Sequence, residues 1–471
     1  MSPAKLPQCV SRAALSALAL GAMLCAASCV APLGPGYTIE RQRIEVTFTS
    51  APQPHVRVRA AWRLKNTGTQ PLTTLEVFLP EALRRERSGL HIEVAGREIA
   101  PSEVTTTNTV SFAFPSVLAR KAKLDVTMSY ELAGTPAKPD AESGVVVGPS
   151  GFVLPPGDWM PALRPPKGGL SAGGEPPERW EIAASVPAGF RVLASGHARG
   201  QEGGVFAFEQ RRQSPLPFAA GGAYQEVKVA AEGTPVVFWT RQAMPPEVAQ
   251  RAADAVARTA QLYDATFGPR EADARTLWIL ECPSAGSCWP VPEAAFAGRE
   301  LNTPQFWQTG LVAIDRQLAA TWLDFRVRAS FEMEPLPMGA LAHYAAALAT
   351  IAREGGDARE RIVRGLIQNT RSAPKQCQET TIFSVRSLGA GPAGECARWR
   401  SELFFFALED AAGTENLSRA LRHLLHAYSV GMWTAADLRS AIEQETGKDF
   451  AAFFREWLTE PGIPKEFVAR Y

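Results

Sequence analysis

Two periodicities divide this chain. From Ile39 to about Leu132 apolar residues alternate with polar ones: Ile44, Val46 and Phe48; Val56, Val58, Ala60, Trp62 and Leu64; Val110, Phe112 and Phe114; Leu124, Val126, Met128 and Tyr130. A period of two places each set on one face of an extended strand. Turn residues such as Lys65-Asn66-Thr67-Gly68 separate the runs, so the pattern predicts antiparallel strands with one buried face. A Pro/Gly-rich stretch, residues 161–177, interrupts the alternation and reads as a long surface loop. Strands resume at Trp180 and run to about Ala231.

Past Thr234 the reading turns mainly helical. Residues 244–269 carry Val248, Ala252, Val256 and Leu262 on one stripe and stop at Phe267-Gly268-Pro269. Near the end, Thr434-Ala435-Ala436-Asp437 has the spacing of a capping box, Gly447 closes that helix and Asp449 caps the next. In that next helix Phe450, Phe453, Phe454 and Trp457 recur at helical spacing, which predicts a core stripe. The expected fold class is α+β: an N-terminal antiparallel β domain over residues 38–231, then a mainly helical domain over 232–471.

The first residues change the picture of where the chain works. Lys5 and Arg12 precede an apolar, small-residue run, Ala13 to Ser28, that is too short to span a bilayer comfortably. Cys29 follows Ala26-Ala27-Ser28, which resembles the bacterial lipobox. Residues 1–28 are therefore expected to be a lipoprotein signal peptide, Cys29 the lipidated residue, and 29–37 a tether. This implies a cell-envelope protein, lipid-anchored to a bacterial membrane and facing the periplasm or the cell surface.

Cysteine and charge agree with that placement. Of seven cysteines, Cys9 and Cys25 leave with the leader and Cys29 takes lipid, so Cys282, Cys288, Cys377 and Cys396 remain. An even number in an oxidising compartment reads as two disulfides with three possible connectivities, and pairing of neighbours favours Cys282–Cys288 and Cys377–Cys396. The intervals lack the short spacings of a cysteine zinc site. The net charge is +1, and −1 without the two leader cations. With no basic stripe, nothing points to nucleic acid as a partner.

The chemistry concentrates between the two helical signposts. The segment Arg316-Gln317-Leu318-Ala319-Ala320-Thr321-Trp322 lies between Phe267-Gly268-Pro269 and Gly447 to Pro464, whose Phe453-Phe454, Trp457 and Pro461-Gly462-Ile463-Pro464 close the pattern. Together these resemble the membrane alanyl aminopeptidase family, thermolysin-like gluzincin zinc metallopeptidases, over roughly residues 38–468. The resemblance implies a saddle-like β domain followed by a thermolysin-like helical domain. It also leaves no room for the C-terminal helical-repeat domain of many members.

The family's helix carries H-E-x-x-H, two imidazoles one turn apart with a general base between them. Arg316, Gln317 and Ala320 stand at those three places. Arginine stays protonated, glutamine has no titrating proton and alanine no lone pair. The family's ligand Glu falls at Met338, and its catalytic Tyr at Arg398. The loop that holds a substrate's amino end is replaced by Glu281 to Pro290.

The resemblance therefore implies a degenerate member with no catalytic residues and no metal ligands. Zinc is expected to be absent and no other cofactor is implied. Among the six histidines, His423 and His426 share a helix face without a nearby carboxylate and read as a solvated pair, and His343 reads as core or rim. The expected function is a catalytically inactive, peptidase-like envelope lipoprotein that binds an unidentified peptide or protein partner or scaffolds one. The alternative is an active envelope metallopeptidase or other hydrolase with a non-standard site. Arg316 is expected to be solvated in an open cleft, the alternative being an ion pair with Glu332 or Glu334 that fills the space of the missing metal.

Overall fold

The computed structural model describes residues 36–471, apart from 81–82, 84–88, 100–102, 107–108, 135–143, 157–158, 165–178, 211–216, 271–275, 285–287, 299, 324–327, 330–338, 380, 384–391 and 428–431. For residues 103–106, 164, 328–329, 376–377, 392–397 and 432 it describes the backbone alone. The leader, Cys29, most of the tether and most of the 161–177 loop lie outside the described residues, as do Met338, Glu332 and Glu334. The side chains of Cys377 and Cys396 also lie outside them.

The N-terminal part is sheet-rich. Strands β1 (Tyr37–Thr49) and β2 (His55–Asn66) pair antiparallel with Ile44 opposite Ala60 and Val46 opposite Val58. Strand β3 (Lys123–Ala133) continues that face, placing Met128 opposite Ala60 and Val126 opposite Trp62. On the other side of β1, strand β4 (Trp180–Ser185) runs parallel to it. These belong to an eight-stranded sheet, and two four-stranded sheets complete the region. The alternating apolar residues are all on the buried face: Ile44, Val46, Val56, Val58, Ala60 and Val126 have no exposed surface. The opposite face carries cross-strand ion pairs, Arg57–Glu131 at 2.7 Å and Arg63–Asp125 at 2.9 Å. Both are open to solvent and stabilise little.

The C-terminal part is helical around a sheet that the periodicity did not reveal. Strands β5 (Gln225–Ala231) and β6 (Thr234–Thr240) form a hairpin, and β7 (Leu277–Glu281) and β8 (Ala294–Ala297) follow, each parallel to its neighbour, with β8 at one end of the sheet. In β6, Val236 and Phe238 pack against the helices, while Val237 and Trp239 pack on the other side with Tyr224 and Cys282. A strand covered on both faces shows no alternation, which is why the strands seemed to end near Ala231.

Helices α1 (Pro246–Phe267), α2 (Leu311–Leu323), α3 (Ala340–Glu354), α4 (Ala358–Ser372), α5 (Pro392–Ala412) and α6 (Thr414–Ala427) pack into one core. Two more close the chain, α7 (Ala435–Thr446) and α8 (Ala451–Thr459). Helix α7 opens on the expected capping box: Thr434 Oγ1 accepts from the Asp437 N–H at 3.2 Å, and Asp437 Oδ2 accepts from the Thr434 N–H at 2.7 Å. Gly447 ends it at φ 67°, where a Cβ would be strained. Asp449 accepts from the Ala451 N–H at 2.7 Å, and the residue in the cap position is Phe450, one place later than expected. Phe450, Phe454 and Trp457 are buried and Phe453 packs against them, an aromatic cluster shared with Phe404 of α5. Among the described residues no helix is long and apolar enough to cross a membrane.

Candidate functional site

Helix α2 is fixed from two sides before any of its chemistry is considered. Ile314, Leu318 and Trp322 recur every four residues and are buried. Asp315, 1% exposed, accepts from Thr259 Oγ1 on α1 at 2.9 Å and pairs with Arg353 on α3 at 2.5 Å. Burial pushes the Asp315 carboxyl upward, and Arg353 opposes that shift. The Tyr263 hydroxyl donates to the Asp315 carbonyl at 3.0 Å, and Trp322 Nε1 donates to Asp264 at 3.1 Å. These contacts lock the helix's rotation and so decide where residues 316, 317 and 320 point.

Gln317 is the best-defined of the three. It is 2% exposed; its Oε1 accepts from the Phe296 N–H of β8 at 3.1 Å, and its Nε2 donates to the Cys288 carbonyl at 2.9 Å. A carboxylate could make only the first of these bonds, since it has no proton to offer a carbonyl. Gln317 therefore joins α2 to the end strand of the sheet and to the loop between β7 and β8. That loop is closed by the Cys282–Cys288 disulfide, with Cα atoms 5.5 Å apart and both residues without exposed surface. Ala320 is buried at 2% exposure and offers the core a methyl group.

Arg316, Arg398 and His343 are brought together from α2, α5 and α3. Arg398 Nη1 lies 3.4 Å from His343 Nε2. A guanidinium only donates, so Nε2 is the acceptor and Nδ1 carries the proton. Burial lowers the His343 pKa to about 3, helped by the charges of Arg316 and then Arg398, so the imidazole is neutral at pH 7. One turn along α5 from Arg398, Glu402 is 8% exposed; burial raises it to about 7 against the pull of Arg398. The Arg398 Nε is buried and has no hydrogen-bond partner among the described residues.

His343 and Glu402 were not singled out as site residues in the sequence. Their proximity comes from the packing of α3 against α5, although His343 does lie one turn past Gly339, next to the family's ligand-Glu position at Met338. The Arg316 pair with Glu332 or Glu334 falls outside the described residues, as does Met338. His423 and His426 are exposed on α6.

These residues do not fit zinc. Arg316 and Ala320 supply no lone pair and the Gln317 amide is committed on both ends. His343 offers its free nitrogen lone pair to Arg398. Among the described residues no group of three His, Cys, Asp or Glu side chains is placed to hold a metal ion. What the arrangement can do is hold negative charge or hydrogen-bond acceptors against two guanidinium groups.

No protein-family model matches the sequence, and no curated protein matches it. The fold is that of M1 zinc metallopeptidases. A structure of the M1 zinc metallopeptidase from Deinococcus radiodurans superposes with a TM-score of 0.62 at 14% identity, covering 92% of this chain and 96% of that one. Yeast LTA4 hydrolase in complex with bestatin superposes with a TM-score of 0.61 at 13% identity, covering 91% of this chain and 68% of that one.

Proposed function

We propose that this chain is a non-hydrolytic, peptidase-like protein of the bacterial cell envelope, anchored by lipid on Cys29, whose cleft between α2, α3 and α5 binds a peptide or protein partner. The carrying observation is that Gln317, which the sequence resemblance aligns with the family's general base, spends both ends of its amide on Phe296 and Cys288. A group held by two buried hydrogen bonds is not available to activate water. Zinc enzymes of this kind need a metal-activated water, and Arg316 and Ala320 stand where the resemblance places its imidazoles. The guanidinium of Arg398, whose buried Nε has no hydrogen-bond partner among the described residues, favours a partner that presents carboxylates or carbonyl oxygens.

Two measurements test the reading. Protein purified without chelators is expected to carry no stoichiometric zinc and to leave aminoacyl-anilides intact; about one zinc per chain with chelator-sensitive cleavage would refute it. Labelled palmitate is expected to enter the wild-type protein. Cys29→Ala is expected either to move it into the soluble periplasmic fraction or to leave an uncleaved precursor. A pull-down from envelope extracts, compared between wild type and Arg398→Gln, identifies the partner and tests whether it uses the cleft.

A further inference from the structure

The three parallel strands β6, β7 and β8 all deliver their carboxyl ends to one cavity of about 530 Å³, lined by Arg241, Gln242, Glu281, Glu300, Asn302 and Thr303. Crevices outside the carboxyl ends of parallel strands are recurrent ligand sites, and this volume suits a small molecule. The cavity is built on a buried acid. Glu281, 3% exposed, accepts from the Arg241 N–H at 2.8 Å and from Arg241 Nε at 3.2 Å with one oxygen, and from the Leu301 N–H at 3.2 Å with the other.

That arrangement orients the guanidinium without consuming it. Only Nε of Arg241 is bonded to the carboxylate, so the two terminal nitrogens remain as a fork at the cavity wall. Beside them Gln242 Oε1 accepts from Asn302 Nδ2 at 3.3 Å, which leaves the Gln242 amide N–H groups and the Asn302 carbonyl for a ligand. Glu300 also lines the cavity, as an exposed residue on a backbone held at φ 68°, an unusual conformation for a side chain larger than glycine. Thr303 fastens that turn by donating to the Glu300 carbonyl at 3.0 Å. The lining thus carries an oriented cation and an anion.

We propose that this cavity binds a small zwitterion of amino-acid to dipeptide size, its carboxylate on Arg241 and its ammonium on Glu300. The site is distinct in residues from the Arg316–His343–Arg398 cluster and does not depend on that cluster's role. Titration calorimetry of the full mature protein with L-alanyl-L-alanine tests it, with N-acetyl-L-alanine amide, which carries neither charge, and sucrose as comparisons. The dipeptide is expected to bind saturably, and Glu300→Gln to weaken it about tenfold, the scale of one charge-assisted hydrogen bond. Arg241→Gln is expected to do the same, with a lowered melting temperature because the buried Glu281 carboxylate loses a partner; should that variant unfold, Glu300→Gln alone decides. Equal binding of the blocked compound or of sucrose would overturn the assignment, as would no binding at all. Dipeptide affinity kept in Glu300→Gln and lost in Arg398→Gln would move the ligand to the other cleft and overturn it too.

Discussion

The C-terminal pair α7–α8 and the side-chain cluster where α2, α3 and α5 meet are both built from helices, yet they obey different rules. In α7–α8 every local signal agrees with the tertiary result: the Thr434–Asp437 box starts a helix, Gly447 ends it, and the aromatic stripe is core. In the cleft the polar residues are placed by long-range contacts that no local rule anticipates. Gln317 reaches β8 and the disulfide loop, and Arg398 reaches His343 from another helix. The lesson is that a scaffold and the chemistry once expected of it are separable. Packing needs complementary shape, which Phe453-Phe454 and Trp457 supply, whereas the chemistry of a site depends on particular atoms, which a shared fold does not guarantee.

The comparison can be tested by breaking each side. Trp457, 2% exposed and stacked edge-on to Phe467 at 5.3 Å, belongs wholly to the scaffold. Trp457→Ala should cost about 3–5 kcal/mol by denaturant unfolding, the range for removing a large buried aromatic. A loss below about 1 kcal/mol would mean the stripe is not core in the sense argued here.

Gln317→Ala comes next in size. It leaves the Phe296 N–H and the Cys288 carbonyl without their partner, a loss of about 2–4 kcal/mol for two buried groups. Gln317→Glu is expected to be destabilising as well and to confer no cleavage of aminoacyl-anilides, because the new carboxylate would face a carbonyl oxygen. If Gln317→Glu were as stable as wild type, the staple reading would fail.

Thr434→Ala is the smaller scaffold test. Losing the cap should cost about 1 kcal/mol, and Thr434→Ser should restore most of it; equal stability of all three proteins would show that the box is decorative.

The smallest effect is one of pH, and it belongs to the cleft alone. The Glu402 pKa is raised by burial, to about 7, so the folded state keeps a proton that the unfolded chain releases. Stability from this group therefore falls as pH rises from the ordinary carboxyl range to about 7. His343, lowered to about 3, acts in the opposite sense: the unfolded chain takes up a proton first, so stability falls as pH drops below about 6.5. The two slopes oppose one another between the ordinary Glu and His pKa values. Glu402→Gln should remove one of them, giving a steeper loss on acidification and a gain above pH 7, read from unfolding midpoints across pH. An unchanged profile would mean the carboxyl is not buried as the helix packing indicates.

How much was legible in the sequence follows from the same physics. The half-buried strands β1 to β3 announce themselves by alternation because one face meets water. The caps of α7 and α8 are local and were readable, apart from the one-residue shift at Phe450 that opens α8. The pairing of Cys282 with Cys288 was readable because the two are neighbours in sequence. Strands β6 and β7 were not, since burial on both faces erases the alternation. Nor were His343 and Glu402, whose significance depends on helices distant in sequence meeting in space. The cavity at Arg241 and Glu300 was equally hidden, because it is assembled from the ends of three separate strands.

The Gln317–Phe296 bond bears on the company the protein keeps. Strand β8 ends its sheet, and an end strand with open amides is a template on which another chain can add itself. Gln317 already takes the Phe296 amide, and the disulfide-closed loop crosses beside it through the Val291–Ala294 bridge. With that amide taken and the loop beside it, the end strand is guarded against strand-to-strand aggregation. The Gln317 side chain then serves to keep copies of the molecule apart.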